Sequence, residues 1–149
     1  MDVEVVQLGS SDLDALVELE KTCFAYHWTQ EQFLMGLEQG IYVILGTRID
    51  GQLVGYIAFS LIEDEMEILN LAVHPNYRKQ KLASALLDRA FVICRVRGVK
   101  KSFLDVKESN DPAIAMYKKY GYEQFGVRKK YYPDTKEDAL LFRYDFICD

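Results

Sequence analysis

The segment that most constrains the fold spans residues 67–106, where a strand pattern, a short basic loop, a helix pattern and a second strand pattern follow one another. Residues 67–73 are mostly apolar and end before Pro75, which cannot donate to a strand ladder. Apolar residues over 82–96 recur at the spacing of a helix packed on a sheet, and residues 101–106 return as a strand. A strand, a crossover helix and a second strand form the unit of parallel sheets, so the sequence predicts an α/β fold with an interior parallel crossover.

A hairpin signal lies upstream of this unit, at Asp50-Gly51. Residues 41–49 and 53–62 on either side are rich in β-branched and aromatic residues, and this dipeptide between such runs is a strong short-range sign of a hairpin. The elements predicted before the hairpin are a strand over residues 3–8, a helix capped by Ser10 or Ser11, and a short helix that Thr29 and Gln32 open as a capping box.

Three further elements are predicted at the end of the chain. Asn110 or Asp111 caps a helix that Gly121 ends, and residues 122–127 and 139–146 form two closing strands. The predicted order is therefore β-α-α-β-β-β-α-β-α-β-β. This order corresponds to a single α/β domain over the 149 residues, with a mixed sheet of about seven strands flanked by about four helices.

Composition narrows the class of protein. The formal net charge of -5 and the pI near 5.1 argue against a general nucleic-acid binder, which needs a basic surface or stripe. The sequence shows neither the pattern of a signal peptide nor an apolar run near the roughly 20 residues that span a bilayer, so we expect a cytoplasmic protein without membrane contact. Cys23, Cys94 and Cys148 lack the spacing of a disulfide framework or a zinc site, and we expect reduced thiols and no metal.

The basic loop over residues 76–83 opens the helix of the crossover unit. Such a junction gathers unpaired backbone N–H groups at a point where the helix dipole also favours anions. The small side chains of Ala83 and Ser84 let a ligand approach the first turn closely. The residues therefore predict a phosphate site, with a solvated basic turn as the alternative.

This loop, Arg78-x-x-Lys81-x-Ala83, resembles the acetyl-coenzyme A pyrophosphate loop of the GNAT N-acetyltransferase superfamily, usually written Arg/Gln-x-x-Gly-x-Gly/Ala. The predicted element order is also that of the superfamily. The resemblance implies an acetyl-coenzyme A site in which backbone groups of Leu71 and Val73 meet the pantetheine arm. The residues that it assigns to this site are Leu71, Ala72, Val73, Arg78, Lys79, Gln80, Lys81, Leu82, Ala83, Ser84, Asn110 and Tyr117.

Lys81 departs from the family pattern, because it stands where the family prefers glycine. Its backbone must take the loop conformation at a steric cost unless the local dihedral angles accept a side chain. Two outcomes stay open: a weaker phosphate cradle, or an additional phosphate contact from the lysine ammonium.

Within the superfamily, several segments resemble the bacterial ribosomal-protein-alanine N-acetyltransferases. They are His27-Trp28-Thr29, the strand over residues 67–73, the stretch from Asp105 to Tyr117, and residues 128–139. The resemblance implies transfer of an acetyl group to the N-terminal alanine of a small-subunit ribosomal protein. Lysine or small-amine acetylation, and a non-catalytic acyl-coenzyme A binding module, remain alternatives because fold alone does not separate them.

The resemblance also assigns catalytic roles. A carboxylate base and a tyrosine acid in the family correspond here to Asp105 and Tyr117. The family usually has glutamate at the first position, and the shorter aspartate withdraws the carboxylate by roughly 1.5 Å, which favours proton transfer through water. Glu67 is a second candidate, for positioning water or the incoming amine. The alternatives are structural roles: Asp105 holding a loop, Tyr117 filling the core and Glu67 lying on the surface.

The predicted substrate-binding residues are Trp28, Glu67, Tyr131 and Tyr132. Tyr131 and Tyr132 form one wall of a peptide groove in this interpretation, and the alternative is a cross-strand aromatic pair in the last hairpin. Asn110 either contacts the cofactor or only caps its helix. An α-amine is about 10% neutral at pH 7 and a lysine about 0.04%, so a retracted Asp105 fits N-terminal acetylation better than lysine acetylation.

Overall fold

A mixed sheet of seven strands forms the centre of the structure, a computed structural model that describes residues 4–24, 28–78 and 81–146. The strands are β1 (Glu4–Gln7), β2 (Tyr42–Ile49), β3 (Gln52–Ile62), β4 (Glu65–Val73), β5 (Lys101–Lys107), β6 (Glu123–Arg128) and β7 (Ala139–Asp145). The helices are α1 (Leu13–Cys23), α2 (Gln30–Glu38), α3 (Leu82–Val96) and α4 (Asp111–Tyr120). The predicted α/β class and element order are confirmed. The predictions for Val3, His27, Lys79, Gln80 and Cys148 concern positions outside the described residues.

The strands lie side by side in the order β1-β2-β3-β4-β5-β7-β6. β4 and β5 pair in parallel, whereas the other neighbouring strands are antiparallel. Because α3 connects β4 to β5, the predicted interior crossover is confirmed. Leu16 and Phe33 of α1 and α2 pack on one face of the sheet, and Leu86 of α3 and Tyr117 of α4 pack on the other.

Local signals set several element ends as predicted. Asp50 and Gly51 both have positive φ, 52° and 81°, which is the twist that a two-residue hairpin turn requires between β2 and β3. The capping box that opens α2 is present, since Gln32 N–H donates to Thr29 Oγ1 at 3.2 Å and Thr29 N–H donates to Gln32 Oε1 at 2.8 Å. Asn110 caps α4 by accepting a hydrogen bond from Ala113 N–H.

The start of α1 differs from the prediction, because neither Ser10 nor Ser11 caps it. Both serines lie inside a 3-10 turn that precedes the helix. Asp12 is the N-cap residue of α1, but its side chain does not cap this helix: one carboxylate oxygen accepts from Gly9 N–H at 2.9 Å, and the other pairs with Arg48 at 2.5 Å. An ion pair between residues far apart in sequence therefore joins the start of α1 to β2.

The strands β4 and β5 separate partway along their length. Their parallel pairing runs from Glu65 opposite Lys101 to Ile68 opposite Leu104 and then stops. A bulge between β3 and β4 falls at the same point, where the register shifts past Leu69. Beyond it β4 continues against β3 alone and β5 against β7 alone, so a cleft opens between the two central strands.

No helix within the described ranges is long and apolar enough to cross a membrane. Cys23 and Cys94 are free thiols, and Cys94 is buried. No cluster of histidine, cysteine or acidic side chains suited to a metal ion occurs in the part of the chain that the structure describes.

Candidate active site

The cleft between β4 and β5 brings backbone groups of one strand opposite a carboxylate of the other. Leu71 and Val73 lie on β4 past the point of separation, and Asp105 lies on β5 past the same point. Leu71 N–H donates to Asn70 Oδ1 at 3.0 Å, and Val73 O accepts from Arg78 Nε at 3.1 Å. The structure thus places Leu71 and Val73 at the cleft, with the Leu71 N–H and the Val73 carbonyl already hydrogen-bonded to side chains of this protein. Ala72 is buried and pairs with Tyr56 of β3.

The loop residue Lys81 has φ 61° and ψ 22°, the left-handed conformation that glycine adopts at little cost. The chain therefore keeps the loop shape expected for glycine while carrying a lysine side chain. No described side chain caps α3, so the N–H groups of Leu82, Ala83 and Ser84 in its first turn are available to an anion. Leu82 is buried and offers only its backbone, while Ala83 and Ser84 are half-buried.

A groove of about 400 Å³ lies beside this helix start, lined by Lys81, Ser84, Asp88, Lys119 and Tyr120. Tyr120 donates its hydroxyl to Asp88 Oδ1 at 2.5 Å, and burial together with the Asp88 carboxylate raises the pKa of Tyr120 to about 12. The groove also holds the Asp88 carboxylate, but two lysines and the N–H groups of the first turn of α3 leave its charge positive, which suits a phosphorylated ligand. The residues present therefore fit the anionic part of coenzyme A.

Lys119 and Tyr120 were absent from the sequence-based site. Lys119 and Tyr120 follow the predicted acid Tyr117 by two and three residues on α4, and Tyr120 also hydrogen-bonds the Ser84 carbonyl of α3 at 3.1 Å. Only the packing of α4 on α3 reveals their position in the groove.

Two carboxylates and a guanidinium gather where β4 and β5 separate. Glu67 lies opposite Phe103 in the register, and Asp105 is the next residue of β5 on the same face. Arg128 Nη1 of β6 lies 3.8 Å from Asp105 Oδ2. Burial and the Asp105 carboxylate raise the pKa of Glu67, while Arg128 opposes this shift. The structure thus brings Glu67 and Asp105 into one electrostatic cluster.

Tyr117 lies on α4 and belongs to the core that contains Leu104 and Val106, the two residues that flank Asp105 on β5. Its side chain is buried, with the ring 5.5 Å from that of Tyr122, and burial followed by the nearby Tyr132 holds its pKa well above the usual range. Burial, and then the Asp105 carboxylate, raise the pKa of Tyr132 to about 12. Tyr132 therefore lies within electrostatic reach of both Asp105 and Tyr117, and the Tyr117 phenol stays protonated at neutral pH.

Tyr131 and Tyr132 belong to the loop of residues 129–138, hereafter the aromatic loop. The last β6–β7 pair is Arg128 with Ala139, so the two tyrosines are not a cross-strand pair. Their rings meet edge to face at 5.2 Å, and the Arg128 guanidinium lies 5.4 Å from the centre of the Tyr131 ring. Tyr131 is 48% exposed, which leaves its ring available to a ligand.

Trp28 is half-buried and lies on the other face of the sheet, where it packs against the core under α1 and α2. Its ring packs against Phe33 at 5.1 Å and Tyr42 at 5.5 Å, and its backbone N–H donates to Glu20 Oε2 at 3.1 Å. The side chain thus takes part in the packing of α2 on β2, and its predicted contact with substrate stays a prediction.

The buried carboxylate of Glu20 is a further feature that the sequence reasoning missed. Glu20 is fully buried on α1 and accepts hydrogen bonds from the Tyr56 hydroxyl and from Asn70 Nδ2, the latter at 2.5 Å. Burial and the Glu20 carboxylate raise the pKa of Tyr56 well above its usual value. The sequence pattern that could have predicted this buried carboxylate is an acidic residue four positions after Leu16, on the apolar face of a helix.

Comparison with known proteins identifies the family. Residues 13–122 match the model of the acetyltransferase (GNAT) family. A Bacillus subtilis (strain 168) protein named as a candidate ribosomal protein bS18-alanine N-acetyltransferase is 37% identical over 131 residues, 87% of this chain and 87% of that protein. The Escherichia coli K12 ribosomal protein bS18-alanine N-acetyltransferase is 30% identical over 139 residues, 92% of this chain and 93% of the relative. A crystal structure of the Escherichia coli ribosomal-protein-S18-alanine N-acetyltransferase matches with a TM-score of 0.93 and 28% identity, covering 99% of this chain and 96% of the other. This chain belongs to the GNAT acetyltransferase family and is an N-acetyltransferase that uses acetyl-coenzyme A.

Proposed function

We propose that this enzyme acetylates the N-terminal α-amine of a protein, with the N-terminal alanine of a small-subunit ribosomal protein as its target. The observation that carries the proposal is the position of Arg128, which lies 3.8 Å from Asp105 and 5.4 Å from the centre of the exposed Tyr131 ring and so sets the aromatic loop beside the carboxylates. The names of the Bacillus subtilis and Escherichia coli relatives, both tied to bS18-alanine acetylation, support the same acceptor.

The residues that hold the cofactor are proposed from the geometry of the cleft. When bound, acetyl-coenzyme A supplies an acetyl thioester that is activated toward an amine. The N–H groups of Leu82, Ala83 and Ser84 and the ammonium groups of Lys81 and Lys119 face the anionic part. Leu71, Ala72, Val73, Arg78 and Asn110 complete the proposed site at the cleft, together with Lys79 and Gln80 outside the described residues.

Two carboxylates share the task of removing the proton from the acceptor amine. An α-amine needs less help than a lysine, because its pKa lies about 2.5 units lower. Asp105 accepts the proton through a water molecule, since its carboxylate is one methylene shorter than that of glutamate. Glu67 lies on the same face, and its raised pKa brings it closer to the range in which a carboxylate acts as a base at neutral pH.

Tyr117 supplies the proton that the departing thiolate requires. Because burial keeps its phenol protonated, the hydroxyl hydrogen is present throughout the physiological pH range. Tyr131, with its exposed ring, and Tyr132 form the wall against which the first residues of the acceptor lie.

A ribosomal-protein target places the enzyme in the cytoplasm. The net charge of -5 favours recognition of a protein N-terminus over direct contact with nucleic acid. The continuous sheet from β1 to β6 supports a single domain over residues 1–149.

The test follows thiol release from acetyl-coenzyme A with two peptides. One has a free N-terminal alanine and no lysine, and the other has a blocked N-terminus and one lysine. Turnover of the first alone supports the proposal. Turnover of the blocked peptide would instead indicate lysine acetylation. No turnover of either peptide by protein that is shown to bind acetyl-coenzyme A would indicate a small-amine substrate or a non-catalytic binding module.

A further inference from the structure

Lys107 connects the strand that carries Asp105 to the aromatic loop. It is the last residue of β5 and lies on the same face as Asp105, two positions away. Its ammonium is 3.1 Å from Asp134 Oδ2 and 5.1 Å from the centre of the Tyr132 ring. The Lys107 and Asp134 side chains are only 32% and 21% exposed, so the ion pair is partly shielded from water.

The rest of the aromatic loop is braced by its own contacts. Lys130 N–H donates to Asp138 Oδ1 at 2.9 Å, and Lys136 N–H donates to the carbonyl of Tyr132 at 2.9 Å. Glu108 N–H donates to the carbonyl of Asp138 at 3.1 Å, which joins the loop's end to the residue after β5. Lys107 ties the middle of this braced loop to β5, because it contacts both Tyr132 and Asp134.

We infer that Lys107 is a positioning residue: its ammonium holds the aromatic loop against β5 and so sets the Tyr132 ring beside the face of β5 that carries Asp105. The inference rests on the proposed function, in which the aromatic loop forms the wall of the acceptor site. Lys107 reaches the acceptor through Tyr132 and not by direct contact.

A positioning role and a purely structural role for Lys107 predict different effects of its removal: the first weakens acceptor binding, and the second lowers the stability of the fold. Partly exposed ion pairs contribute little to the stability of a fold. Removal of Lys107 should therefore leave unfolding almost unchanged while the acceptor is bound less well. The two roles separate in a comparison of the KM for peptide with the KM for acetyl-coenzyme A.

The experiment compares Lys107→Gln and Lys107→Arg with the control Lys129→Gln. Lys129 belongs to the same loop and pairs with Asp138 at 3.1 Å, but its side chain is 80% exposed. For Lys107→Gln we expect the KM for the N-terminal-alanine peptide to rise about tenfold, from the loss of one ion pair and one cation–π contact. The KM for acetyl-coenzyme A should stay unchanged. Lys107→Arg, which retains both contacts, should restore the peptide KM, and Lys129→Gln should resemble the parent.

Hydrogen exchange provides a readout that does not depend on the acceptor. Lys107→Gln should speed amide exchange in residues 129–138 and leave the first turn of α3 unchanged. This result would support the positioning role even if the parent enzyme did not use the alanine peptide, an outcome that would remove only the proposed function. Equal exchange in Lys107→Gln and Lys129→Gln would overturn the inference, and so would faster exchange with an unchanged peptide KM in an enzyme that turns the peptide over.

Discussion

Asn70 donates a 2.5 Å hydrogen bond through Nδ2 to the buried carboxylate of Glu20, and this bond ties β4 to α1. Asn70 is also the residue whose Oδ1 accepts from Leu71 N–H at the cleft. Because Glu20 accepts from the backbone of Trp28 as well, one carboxylate links the cofactor strand to the connection between α1 and α2. The cleft is therefore supported from behind by a buried polar network.

Replacement of Glu20 should destabilise the fold more than replacement of an exposed glutamate on the same helix. Glu20→Ala leaves the buried Tyr56 hydroxyl without its acceptor and removes one of the two acceptors of the Asn70 amide, which keeps the Tyr56 hydroxyl oxygen at 2.8 Å. We expect the free energy of unfolding to fall by about 3 kcal/mol. Urea denaturation measures the change. The control is Glu18→Ala, since the Glu18 side chain is 77% exposed, and its effect should stay within about 0.5 kcal/mol. Equal losses in the two variants would show that the network contributes nothing.

Removal of the Tyr117 hydroxyl should separate chemistry from cofactor binding. In Tyr117→Phe the ring still fills the core beside Tyr122, but the proton donor is gone, so we expect kcat to fall by about a hundredfold or more. The affinity for acetyl-coenzyme A, measured by calorimetry, should remain that of the parent. Tyr120→Phe is the matched control, because Tyr120 lines the groove and should affect cofactor affinity more than kcat. An unchanged kcat in Tyr117→Phe would exclude Tyr117 as the acid.

Arg128 should control the pH dependence of the reaction through Glu67. Its positive charge favours the ionised carboxylate and lowers the pKa of Glu67, in opposition to burial and to Asp105. Arg128→Gln removes this lowering effect, so the pKa of Glu67 rises further. Because the ionised form is the base, the acidic limb of the kcat/KM profile should move to higher pH.

The control for this pH profile is Lys129→Gln, which removes a neighbouring charge that pairs with Asp138 and not with Asp105. Its profile should coincide with that of the parent. A limb that stays in place in Arg128→Gln, or moves to lower pH, would mean that Glu67 does not set the protonation state that the reaction needs.

Parts of the fold could be predicted because their signals are local. The capping box of Thr29 and Gln32 and the turn at Asp50-Gly51 depend on residues within four positions of one another. The start of α1 was predicted wrongly, because Asp12 and not a serine takes the N-cap position, and the side chain of Asp12 pairs with Arg48, 36 positions away. A local pattern of serines does not reveal a contact between residues so far apart in sequence.

The site follows the same division between local and distant contacts. The proximity of Glu67 and Asp105 follows from parallel pairing of two predicted strands, and both residues were already candidates, Asp105 from the family resemblance and Glu67 from its place on the cofactor strand. The role of Glu20 could not be predicted from the sequence, because its partners Tyr56 and Asn70 lie 36 and 50 positions away. The bonding of Tyr120 to Asp88 likewise depends on how α4 packs on α3.

Lys81 allows the backbone and the side chain of the cofactor loop to be tested separately. Its φ of 61° costs a non-glycine residue about 1 kcal/mol, so Lys81→Gly should be more stable to urea than Lys81→Ala by about that amount. Both variants lose the ammonium that lines the groove beside Lys119. We expect acetyl-coenzyme A to bind about fivefold more weakly to Lys81→Ala than to the parent, and we expect this affinity to fall less steeply as the salt concentration rises. Calorimetry at two ionic strengths measures this effect. Tighter binding by Lys81→Gly than by the parent would show instead that the lysine side chain obstructs the loop, because the glycine keeps the backbone shape and removes only the obstruction.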